Sequence, residues 1–283
     1  MAAAEAQEAS TSASAPYYDL GGYRRADLGV QGEEARVWCN RGLIWSYAFN
    51  HGESERCFRR ALDLDPGCAF AHWGVAYALG PNYNVPWDSM DAIADTARRG
   101  RRALRAANEV LQRPDTHALP VEGALVDALE HRFPDPDAEA GAAAAADRAE
   151  GKAVWNRRYA EAMTRVYEQF PDDLDVAALY ADALMNLTPW KLWDLPSGQP
   201  APDARTLDAK AVLDRAIARD GGIKHPGLLH LYIHLMEMSP TPEAALPAAD
   251  ALRGLVPDSG RTYPSISKLA NGAPLTSVLP CCT

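Results

Sequence analysis

Residues 33–80 read EEARVWCNRGLIWSYAFNHGESERCFRRALDLDPGCAFAHWGVAYALG. Three apolar runs at helical spacing are divided by two turn signals. Val37, Trp38, Leu43, Ile44, Trp45 and Ala48 predict a first helix over 33–49, ended by Asn50-His51-Gly52. Cys57, Phe58, Ala61, Leu62 and Leu64 predict a second over 54–64, and Pro66-Gly67 punctuates the chain after it. A third runs over 69–79 and stops at Gly80-Pro81.

The same texture continues outward. A long helix is predicted from Pro86 to Leu111 and a short one over 119–131, broken by Pro134-Asp135-Pro136. The Ala-rich stretch 138–149 leads into 154–170 as one long helix. Further helices follow over 171–187, 203–219, 226–238 and 242–255. Between them a Pro-rich loop, 189–202, holds Trp190 and Trp193. No segment reads as a strand, and Ala, Leu, Arg and Glu favour helix throughout. The fold class predicted is all-α, with antiparallel helical hairpins stacked side by side, because such hairpins bury their apolar faces only against neighbours. Residues 1–22, Ala/Ser-rich, read as a disordered tail; 23–260 form the helical-repeat domain; 261–283 form an irregular C-terminal tail.

Composition narrows the function classes. With 283 residues, 47% of them hydrophobic, the chain can bury a substantial core. The formal net charge of −10 disfavours nucleic acid. The densest basic run, Arg98, Arg99, Arg101, Arg102 and Arg105, spreads around a helix and is flanked by Asp91, Asp95 and Glu109, so it reads as a solvated surface. No apolar run reaches the about 18 residues of a membrane span. The N-terminus has neither the basic start nor the apolar core of a secretory signal. Cys39, Cys57 and Cys68 lack metal-type spacing and read as buried thiols of a reducing, cytoplasmic protein. Cys281-Cys282 does not form a prenylation box.

Residues 35–68 fit one 34-residue unit: Trp38 and Gly42 as the large and small positions of one helix, Phe58 and Ala61 as packing positions of the next, and Pro66 at its end. Trp73, Gly74 and Tyr77 begin a second unit two residues early, and Phe170-Pro171-Asp172-Asp173 with Leu179-Tyr180-Ala181 marks another boundary. This pattern resembles the tetratricopeptide-repeat (TPR) family, which implies a TPR-like α-solenoid with a concave binding face. Phe49-Asn50-His51, Gly80-Pro81-Asn82, Pro189-Trp190 and Leu231-Tyr232-Ile233-His234 resemble a microbial and algal branch of it. That branch carries a further histidine-bearing segment where this chain has Arg261-Thr262-Tyr263-Pro264, which implies an altered or truncated C-terminus. A last hairpin without a polar closing helix would expose its inner face and favour self-association.

The sharpest constellation lies after Pro226. His230, His234 and Glu237 share one face of a helix that is otherwise apolar nearly all round. Two histidines at i and i+4 can share a divalent metal, with Glu237 as a third ligand or base, and His51 or His72 as a distant fourth. His225 is expected to cap the helix, with Pro226 in its first turn. His51, Trp73, Asn82, Tyr83, Trp190 and Tyr232 are the candidate lining of a ligand groove, and Trp45, Tyr47 and Arg36 the candidate anchors for a protein or peptide partner. No phosphate-binding loop, nucleophile elbow or dinucleotide fingerprint occurs. Two functions are therefore carried forward: an interaction scaffold, and a protein that binds a metal or small ligand at His230, His234 and Glu237.

Overall fold

Among the residues that the computed structural model describes, 18–133 and 149–258, the chain is all-α apart from one short ribbon. Its α-helices are α1 (Glu33–Tyr47), α2 (His51–Leu64), α3 (Ala69–Leu79), α4 (Ile93–Leu111), α5 (Pro120–Glu130), α6 (Ala149–Gln169), α7 (Leu174–Met185), α8 (Thr206–Ile217), α9 (Pro226–Met236) and α10 (Leu246–Leu255).

Local chemistry fixes the ends. Asn50 caps α2 by accepting the Glu53 amide at 3.2 Å, and Asp173 caps α7 by accepting that of Val176 at 3.0 Å. His225 caps α9 as predicted, its Nδ1 accepting from the Leu228 amide at 3.2 Å with Pro226 behind it. Some boundaries differ from the sequence reading. α1 stops at Tyr47 and α2 starts at His51 because Phe49 turns the chain with φ 57°, which no periodicity announces. The predicted helix from Pro86 is a 3-10 turn at Trp87–Ser89, followed by α4 only after Ala92 at φ 52°. Trp193–Asp194 pairs antiparallel with Gln199–Pro200, so the Pro-rich loop holds a two-residue ribbon where no strand was predicted. The Trp193 indole pins that ribbon to α9 by donating to the Leu235 carbonyl at 2.7 Å. The predicted tail 261–283 and the stretch 138–148 lie outside the described residues.

Every helix packs on the next along the chain, and α9 also returns to α1 and α7. One close crossing is centred on Phe58 of α2, which is fully buried. A Cβ on Gly42 of α1 would stand 2.7 Å from its ring, and one on Gly74 of α3 only 2.4 Å away. The glycines let three helix backbones close around one aromatic side chain, as the Gly42, Phe58 and Ala61 pattern predicts.

The segment before α1 is a strap. Leu20 is buried, and the Asp19 carbonyl accepts from the Asp258 amide at 3.0 Å. Residues 18–22, assigned to the tail by composition, are therefore placed against the end of the described chain. Arg25, 4% exposed at its side chain, reaches Asp173 at 2.5 Å and Asp175 at 2.6 Å on α7 and its cap. The Asp175 carboxylate also accepts from Tyr23, Tyr47 and His225. One buried anion thus joins the strap, α1, α7 and α9. The Arg25 guanidinium and these donors hold Asp175 far below the usual carboxylate range against the opposing effect of burial.

On the surface Arg98 pairs with Asp95 and Arg99 with Glu55, the solvated ion pairs expected of that basic run. No helix among the described residues is long and apolar enough to cross a membrane. Cys39, Cys57 and Cys68 are buried free thiols.

Candidate functional site

α9 is buried along nearly its whole length, as its sequence requires, and its two histidines are 3% and 4% exposed. Their protonation pattern follows from their partners. The Tyr47 carbonyl can only accept, so His230 donates to it through Nδ1 across 2.5 Å. His234 Nδ1 meets the Glu237 carboxylate at 2.8 Å. The two Nε2 atoms then face one another at 3.0 Å. With both Nδ1 positions carrying hydrogen, two neutral rings would bring lone pair against lone pair. A proton shared between the two Nε2 atoms, or a bound cation, would relieve that opposition. Burial and the neighbouring His234 push the His230 pKa well below its ordinary value.

Three aromatic rings enclose this pair. Phe49 lies 4.6 Å from the His230 ring and 5.5 Å from that of His234. Tyr83 stands 5.4 Å from His234, and Trp190 stands 5.1 Å from Tyr83. Phe49 and Trp190 hold φ of 57° and 64°, a region that costs a non-glycine residue about 1–3 kcal/mol. Phe49 brings its ring to both histidines, and Trp190 brings its ring to His234 at 6.5 Å.

The predicted site residues divide accordingly. Glu237 does not converge with the two Nε2 atoms as a third ligand: from the C-terminal end of α9 its carboxylate reaches the far side of the His234 ring and orients it. His51 and His72 do not supply a fourth ligand. His51 meets the Gly80 carbonyl through Nδ1 at 3.2 Å, and His72 meets the Pro66 carbonyl. Among the described residues no group of three or more His, Cys, Asp or Glu side chains is placed to hold a metal ion. Tyr83 and Trp190 do join the pair. Trp73 is 1% exposed and stacks between Phe70 and Tyr77 in the core. Asn82 closes its own turn by accepting from the amides of Asn84 and Val85. Tyr232 faces the other way, its ring beneath Lys210. Trp45 and Tyr47, proposed partner anchors, are 3% and 5% exposed, so they pack the core instead of presenting a docking surface.

Sequence reasoning missed Phe49 as a site residue. Its position immediately before a helix cap was legible, but the positive φ that aims its ring was not. Arg132 was also missed: a single arginine after a short helix carries no periodic signal. Compared against family models, curated proteins and solved structures, the chain matches none.

Proposed function

We propose that this is a TPR-like helical-repeat protein that binds a divalent metal ion through His230 and His234, with Glu237 orienting the second imidazole. The observation that supports the reading is the pair of opposed Nε2 atoms at 3.0 Å, each backed by a hydrogen-bonded Nδ1. Metal-bound imidazoles ordinarily donate their second ring N–H to a carboxylate or a backbone carbonyl. Here one ring has each kind of partner. At metal–nitrogen distances of about 2.0–2.1 Å a single ion reaches both atoms. Two protein donors would leave the ion's further positions to water or to other donor atoms.

The repeat reading draws on the helix-on-helix packing along the chain and on the Gly42–Phe58–Gly74 crossing. The scaffold alternative loses two of its three anchors to burial, and Arg36 is turned towards the Leu28 carbonyl. Elemental analysis of untagged protein, purified without chelator, tests the metal. About one divalent ion per chain, lost in the His230→Ala/His234→Ala double variant, is the expected result. Metal-free wild-type protein that takes up no added zinc, manganese or nickel would leave the proton-bridged pair in its place.

A further inference from the structure

Arg132 follows α5 and is fully buried, and none of its three guanidinium nitrogens has a hydrogen-bond partner among the described residues. Its guanidinium lies 4.7 Å from the Tyr159 ring and 5.9 Å from that of Tyr77. The buried carboxyl group of Asp182 senses its charge, but the Asp182 oxygens are already engaged by the Tyr77 hydroxyl at 3.0 Å and the Asn186 amide at 2.8 Å. Two further buried polar atoms around the same tyrosines are without hydrogen-bond partners among the described residues, the Tyr159 hydroxyl and His51 Nε2. His51 packs on Tyr77 at 5.8 Å.

A guanidinium offers five N–H donors in one plane, and leaving them all unmade in a dry interior costs several kcal/mol. Aromatic faces and a carboxylate beyond contact distance offset part of the charge and none of the hydrogen bonds. Water could accept from one or two donors but brings no charge. What matches a planar fork edge between two aromatic rings is an oxyanion that accepts two parallel N–H bonds.

From this we infer that Arg132 is the anchor for the carboxylate or phosphate group of a small anionic ligand, with the Tyr159 hydroxyl as an additional donor to the same group. The inference does not draw on the imidazole pair and is tested on metal-free protein.

The experiment is thermal unfolding of the full chain after chelation and dialysis, with acetate, inorganic phosphate or chloride added at matched ionic strength. One of the two oxyanions is expected to raise Tm saturably above the chloride control, acetate marking a carboxylate site and phosphate a phosphate site. Arg132→Lys should abolish that rise. Tyr159→Phe, which removes only one hydroxyl and keeps the ring, should weaken the half-saturating concentration by about fivefold, the worth of one hydrogen bond. The inference is overturned if both oxyanions act like chloride on wild-type protein. It is equally overturned if the rise persists unchanged in Arg132→Lys or in Tyr159→Phe, which would place the anion elsewhere.

Discussion

His51 shows how one buried side chain links sequence, packing and pH response. Its Nδ1 is fixed on the Gly80 carbonyl, and burial together with the Arg132 charge lowers its pKa to about 4. His230 is depressed in the same direction by burial and by His234. In the unfolded chain both return to the ordinary value of about 6.5. Between those values the unfolded state binds more protons, so stability is complete above about pH 6.5 and declines as pH falls towards 4. Replacing His51 with Gln should remove about 2 kcal/mol of the loss between pH 7 and pH 5. Urea midpoints at the two pH values measure it, and an unchanged difference would mean that His51 titrates normally. The spacing of His230 and His234 on one face was legible from their numbers alone. Their facing nitrogens were not, because the Tyr47 carbonyl that fixes one ring comes from a residue 183 positions away.

At the scale of elements, helix identity was legible and helix termination only partly. Apolar periodicity locates α1 to α3, since a buried stripe needs it, and the proline and glycine stops lie near their ends. Left-handed residues such as Phe49, Ala92 and Trp190 are ordinary in composition, so the turns they make had no signature. The glycines on α1 and α3 were better predictors, because small residues opposite a large one imply a close crossing. Gly74→Ala should therefore destabilise the protein although alanine is the better helix former by about 1 kcal/mol. The added methyl would stand 2.4 Å from the Phe58 ring, and overpacking of a filled crossing costs typically about 1–3 kcal/mol. Gly74→Ala combined with Phe58→Leu should recover part of the loss relative to Gly74→Ala alone. Denaturation midpoints that rise with Gly74→Ala would show that the crossing has room to spare.

For the whole molecule, repeat texture predicts an array in which each unit touches only its neighbours, so that damage at one end stays there. The structure adds long-range ties that texture could not reveal: α9 meets α1, and the strap joins its own arginine to α7. These ties converge on Asp175, and they set an expectation about cooperativity. Removing the carboxylate charge with Asp175→Asn leaves Arg25 with Asp173 as its remaining counter-charge and weakens the acceptor shared by Tyr23, Tyr47 and His225, a change that costs about 1–3 kcal/mol. Because the Asp175 pKa is depressed in the fold, its contribution is present above about pH 4 and is lost as pH falls below the unfolded value of about 3.9. Hydrogen exchange separates the two kinds of architecture. If the strap closes the array, Asp175→Asn lowers amide protection together in α1, α7 and α9, elements far apart in sequence but joined through one carboxylate. If the array is open, the loss stays in residues 18–32 and α7, and α1 keeps the protection it draws from α2.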